Sequence, residues 1–198
     1  MKASWLLLLC GLALPVVAMD FAKELQNIQQ QPALVVTELD QIAENKRDAV
    51  HWLKLGVAYL QLKNKDAALN ALNSALNGQL SPALQLQAWQ QKALVYGMLF
   101  RDNNNALQSL QQAELLLPKV EKAEKPQLQA SLYESFAQAY NQQGNAGLAM
   151  KAANESLALA VVAADKPRQL ASMIMLGRLH LQNNNLTKAY QHFKSALP

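Results

Sequence analysis

From about residue 47 onward, small and bulky apolar residues recur three and four positions apart, the interval at which side chains share one stripe of an α-helix. Lined up with itself, the chain shows a longer period as well. Trp52 is followed by Leu55, Gly56 and Tyr59, and then by Ala68, Leu72 and Ala75. Trp89, Ala93 and Tyr96 repeat the first half, and Ala106, Leu110, Ala113 and Pro118 the second. Tyr133, Phe136, Ala137 and Tyr140 lead in the same way to Gly144, Ala149, Ala153 and Ser156. Met173, Leu176, Gly177 and His180 lead to Ala189, Phe193 and Ala196. Each copy reads as two helices, and four copies are present.

The polar positions agree in phase. Lys63 to Asp66, Arg101 to Asn105, Gln142 to Asn145 and Gln182 to Asn185 separate the two halves of each copy, with one extra residue expected in the second turn. Gly and Asn tolerate the left-handed conformation that ends a helix, and Asn or Asp caps the next one. The small residues Gly56, Ala93, Ala137 and Gly177 let the paired helices approach closely. Gly56 to Ala93 is 37 residues, Ala93 to Ala137 is 44 and Ala137 to Gly177 is 40, so longer helices or wider linkers are expected. Extra turns after Pro118 and around residues 158–164 would supply them. Ahead of the copies, residues 21–28 and 33–43 form two shorter amphipathic segments split by Gln31-Pro32, a suitable cap for the stack. The last helix, from about Leu186 to Leu197, has no such cover, which leaves it exposed or available for self-association.

With 51% hydrophobic and 16% charged residues and only 7 Gly and 7 Pro, the composition fits a folded helical chain. The first eighteen residues stand apart. Lys2, an apolar run from Trp5 to Leu14 and the small-residue site Val16-Val17-Ala18 read as a secretory signal peptide with cleavage expected before Met19, the weaker alternative being a retained anchor. The run is shorter than the roughly 20 residues of a membrane-crossing helix, and no later segment is long enough, so no stable span is expected after cleavage. Cys10, the only cysteine, lies inside this leader and lacks a small residue before it, so lipid modification is not expected. The mature chain then has no thiol, which excludes disulfides, Cys-ligated zinc and thiol catalysis. Seventeen basic residues remain after loss of Lys2 against 14 acidic ones, a net charge of +3. The charges alternate, as from Pro118 to Pro126, instead of gathering on one face, so nucleic acid is not an expected partner.

No chemistry emerges from the remaining motifs. His51, His180 and His192 have no metal-ligand spacing. His180 stands at an aromatic packing position, and His51 and His192 read as surface or helix-flank residues. Trp52 and Trp89 occupy the bulky position of their copies and are expected in the core. No glycine-rich loop follows a strand and no serine sits in a nucleophile elbow. Glu24, Glu38, Asp40, Glu44 and Glu134 read as solvated carboxylates. No catalytic residue, cofactor or metal is therefore expected, and the chain is not expected to be an enzyme.

The string Trp52, two residues, Leu55-Gly56, two residues, Tyr59 resembles the opening signature of the tetratricopeptide-repeat family, and the later copies match it in part over about residues 47–198. The repeat length of about 40 is similar to that of kinesin light chains and many bacterial regulators. The resemblance implies an all-α fold, a right-handed α-solenoid of helix hairpins with about ten helices. The expected division is a signal peptide at 1–18, a cap or degenerate repeat at 19–46, and repeats at about 47–81, 82–125, 126–165 and 166–198. It further implies a concave groove, lined by the first helix of each pair, that takes a protein or peptide. The expected groove residues are Leu53, Val57, Leu60, Gln87, Gln90, Gln91, Leu94, Glu134, Gln138, Asn141, Ile174 and Arg178. Leu53 and Val57 replace the Lys and Asn with which one subfamily grips C-terminal carboxylates, so that activity is not expected. The leader and the repeats together suggest a periplasmic or secreted adaptor, in a Gram-negative envelope, that serves envelope assembly. The alternative is the sensory input module of a membrane cyclase or kinase that continues beyond Pro198.

Overall fold

The computed structural model describes residues 17–196. The leader expected at 1–18 lies outside them, apart from Val17 and Ala18, which open the first helix. The described residues form ten α-helices and no strand: α1 (Val17–Gln30), α2 (Pro32–Asp40), α3 (Ala49–Gln61), α4 (Lys65–Asn77), α5 (Pro82–Leu94), α6 (Asn103–Glu114), α7 (Lys125–Gln142), α8 (Ala146–Val162), α9 (Lys166–Gln182) and α10 (Leu186–Ser195). The long spacings come from both expected sources. Helices α3 and α4 have 13 residues each, whereas α7 has 18 and α8 and α9 have 17. A 3-10 turn at Leu117–Lys119 widens the link from α6 to α7.

Local chemistry starts and stops these helices as the polar positions require. The side chains of Asn64, Asp102, Asn145, Asp165 and Asn185 each accept a hydrogen bond from a backbone N–H three residues on, an N-cap that satisfies one orphan donor of the first turn. Asp48 does the same for α3, and the His51 Nδ1 accepts from the Asp48 N–H in return, so His51 is part of a capping box. The first helices end in a common closure. The N–H groups of Asn64, Asn145 and Asn185 donate to the carbonyls of Tyr59, Tyr140 and His180, each at 2.9 Å, five residues back. The residue just before each cap is left-handed, with φ of 58° at Lys63, 76° at Gly144 and 56° at Asn184.

The second copy reaches the same closure one residue later: Asp102 donates to the Tyr96 carbonyl at 2.9 Å, with Arg101 at φ 59°. The extra residue expected in the turn is therefore not there. It is taken up inside the helix, where α5 continues as a π-helical turn over Val95–Phe100. A widened turn accommodates one residue without breaking backbone pairing, and the turn that follows keeps its shape.

Helices pack in hairpins, α3 with α4, α5 with α6, α7 with α8 and α9 with α10, and each second helix also packs on the next first helix. The core forms two stretches that meet at α5. Leu84, Ala88 and Val95 face the first stretch, with α1, α3 and α4, and Leu86 and Ala93 face the second, which runs to α9. Gly56 and Gly177 are the close-approach points: a Cβ on Gly56 would lie 2.6 Å from Leu72 Cγ, and one on Gly177 would lie 2.6 Å from the Phe193 ring. Between α7, α8 and α9 the core admits two buried hydroxyls. Ser172 donates to Ser156 Oγ at 3.0 Å, and Ser156 donates to the Ala130 carbonyl at 2.9 Å.

Some packing differs from the expectation. Trp52 and Trp89 are half-buried, each with a cation over its ring: Arg47 lies 5.1 Å from the Trp52 centroid and Lys92 4.7 Å from that of Trp89. Burial pushes the Lys92 ammonium below its usual pKa, and it donates to Asn73 Oδ1 at 2.8 Å. His192 is not a simple surface residue, since its ring stacks on His180 at 5.4 Å and 11°. On α10 only Ala189 is buried, and Leu186 and Tyr190 are 65% and 66% exposed.

Candidate functional site

The order of contacts tells which helices line the inside of the stack. Successive first helices, α3 with α5, α5 with α7 and α7 with α9, pack directly on one another, whereas successive second helices barely meet. In a curved stack neighbours are closest on the inner side, so the first helices form the concave face.

The first part of that face is already occupied. Helix α1 packs on α3, burying Phe21 and Ile28 in the same cluster as Leu53, Val57 and Leu60, and Glu24 pairs with Lys54 at 3.0 Å. Leu53 and Val57 are 0% exposed and Leu60 is 5% exposed. The expectation that these three face an open groove is corrected. Helix α3 carries apolar residues on more than the side that meets α4 and α5, and α1 and α2 pack on it as well.

Beyond α1 the concave face opens into a cleft of about 300 Å³. Its walls are α1 through Leu25 and Gln29, α5, α7, and Arg168 at the start of α9. Six of the expected groove residues come together here: Gln87, Gln90, Gln91 and Leu94 from α5, and Glu134 and Gln138 from α7. Asn141, Ile174 and Arg178 stay outside it, the first two half-buried and Arg178 exposed.

The cleft is built from amides and hydroxyls tied to one another. Gln90 Nε2 donates to Ser131 Oγ at 3.1 Å and to Ser135 Oγ at 3.3 Å, bridging α5 and α7. Ser135 donates in turn to the Ser131 carbonyl at 3.1 Å. At the far end the Arg168 guanidinium bonds Glu134 and also Asp165 Oδ2, the latter at 3.1 Å. Glu134, read as a solvated carboxylate, is thus an ion-pair partner across repeats.

The residues missed from sequence are those that reach the cleft by tertiary packing. Leu25 and Gln29 belong to α1, whose docking site is not contiguous with it in the chain. Ser131 and Ser135 lie one turn apart on α7 and carried no signal of their own. The apolar stripe of Leu53, Val57 and Leu60 on α3 was the available clue that another helix covers it.

Helix hairpins stacked in one direction, with a polar cleft along the face made by their first helices, define a helical-repeat scaffold of the protein-interaction class, a fold that typically binds rather than catalyses. Residues 52–77 match the tetratricopeptide repeat family model. Among solved structures, the chain is similar to a Podospora anserina protein described as kinesin light chain TPR-like repeats, at 19% identity over 90% of each chain and a TM-score of 0.60. No curated protein sequence matches the chain. Residues 52–77 are thus a tetratricopeptide repeat, and the described residues form an all-α solenoid of the kind seen in that neighbour.

Proposed function

We propose that the chain is an exported adaptor that binds a polypeptide along its concave face, in the cleft between α1, α5, α7 and α9, within a bacterial envelope or outside the cell. The observation that carries the reading is the cleft itself: a depression lined by Gln side chains, Ser hydroxyls and the edges of Leu25 and Leu94. Amides and hydroxyls bond a peptide backbone, and apolar edges take its side chains. Export rests on the leader, whose expected cleavage before Met19 would leave Phe21, Leu25 and Ile28 on α1 to cover α3.

The test is site-specific photo-crosslinking in the cells that make the protein. A photoreactive residue at Gln91 or Gln138 is expected to capture a protein partner, and one at Asn70, exposed on α4, is not. Equal labelling from all three positions, or none from the cleft, refutes the site. Amino-terminal sequencing of the mature protein is expected to begin at Met19, and an intact Met1 refutes export by cleavage.

A further inference from the structure

Among the described residues, one buried side-chain polar atom has no hydrogen-bond partner, and it lies at the cleft: Gln87 Oε1. Gln87 is 8% exposed. An acceptor shut away from water and left unpaired is costly, and native interiors rarely retain one without a reason. The neighbouring donors are engaged elsewhere. Both amide hydrogens of Gln90 are directed at Ser131 and Ser135, and Arg168, the one cation lining the cleft, is held by Glu134 and Asp165.

Charge points the same way. Glu124 and Glu134 both line the cleft against that single, already paired cation. An anionic occupant would meet carboxylates with no free positive charge to receive it, whereas a neutral or cationic donor would be welcomed by both the field and the orphan acceptor.

Resting on the reading of this cleft as the polypeptide site, we infer that its occupant is a neutral or cationic segment carrying a hydrogen-bond donor, towards which the Gln87 side chain turns its unpaired Oε1 on binding. The donor is a backbone N–H, a side-chain amide or a basic side chain. Acidic segments and free carboxylates are rejected. Gln87 is thus the residue that reads the ligand, and Gln90 with its two serines is the frame that holds α5 and α7 at the right separation.

The experiment is to pan a phage-displayed library of random peptides on the full folded protein and measure the recovered peptides by fluorescence polarisation. Binding is compared among wild type, Gln91→Trp, which fills the cleft, and Gln87→Met, which removes the acceptor at similar volume. Cleft-bound peptides are those that lose binding to Gln91→Trp. They are expected to be rich in Asn, Gln, Lys and Arg and poor in Asp and Glu, and to weaken about tenfold on Gln87→Met, in keeping with one buried hydrogen bond. Unliganded Gln87→Met is expected to melt no lower than wild type, because the orphan acceptor is gone. Cleft-bound peptides that are acidic, or that bind Gln87→Met equally well, overturn the inference while leaving the cleft as the site. A lower melting temperature for unliganded Gln87→Met also overturns it, by making the role of Gln87 structural. Failure to recover any peptide sensitive to Gln91→Trp overturns the polypeptide site itself, and the inference with it.

Discussion

Replacing Gly56 by Ala adds a single methyl group at the tightest point of the first hairpin. The new Cβ would sit 2.6 Å from Leu72 Cγ, 2.7 Å from Leu72 Cδ2 and 3.3 Å from the Leu72 backbone N. Leu72 is fully buried, so its side chain has no open space to turn into. Two effects oppose each other. Ala is favoured over Gly in a helix interior by about 1 kcal/mol, while overpacking a closed core costs about 1–3 kcal/mol. The packing effect should win, because backbone and side chain of α4 both stand in the way. A net loss of about 1 kcal/mol is expected, read from urea denaturation followed by circular dichroism at 222 nm. Gly97→Ala is the control. Its Cβ would meet Gln142 Oε1 at 2.8 Å, the far end of an exposed and flexible side chain, so Gly97→Ala should cost less than Gly56→Ala. Gly56→Ala equal to or more stable than wild type would refute the view that the α3–α4 separation is set by the missing methyl.

Two further predictions concern the last two hairpins. Ser156→Ala removes the donor to the Ala130 carbonyl and strands the Ser172 hydroxyl in a fully buried place, at a cost of about 1–3 kcal/mol. Adding Ser172→Ala should then cost less than it does alone, and strict additivity in the double-mutant cycle would refute the coupling. Burial, and then the nearness of His180 and Lys188, hold His192 below its usual pKa of 6.5. The unfolded chain therefore takes up this proton at higher pH than the folded one, so stability falls as pH drops from 7.5 through 6.5 towards the folded value. Wild type should lose more thermal stability over that range than His192→Gln, and identical pH slopes would refute the assignment.

Much of the solenoid was legible because its rules are local. Helix periodicity, a cap residue at each turn and a small residue at each hairpin contact are satisfied within about forty residues of chain, and so they repeat visibly. Asn64, Asp102, Asn145 and Asn185 act as caps through their own neighbouring N–H groups, a choice that needs no distant partner. Even the additional residue of the second copy was countable. Its place was not, since a turn and a π-helical widening both absorb one residue, and the closure from Asp102 to Tyr96 selects the latter.

The candidate site divides along the same line. That the first helices carry amide-rich faces at Gln87, Gln90, Gln91 and Gln138 is written in the repeat register, because position in a repeat sets which way a side chain points. Which of those positions stay open is a matter of what packs over them. Leu53, Val57 and Leu60 obey the same register as Gln87 and Gln90, yet α1 folds back and seals them. The link from Gln90 to Ser131 and Ser135, and that from Glu134 to Arg168, join residues more than thirty positions apart, and local pattern does not encode such meetings. Periodicity thus specifies the repeat, its caps and its facing directions, all short-range properties of the backbone. Long-range packing of α1, α7 and α9 decides where the concave face is closed, where it opens, and which buried acceptor is left without a donor.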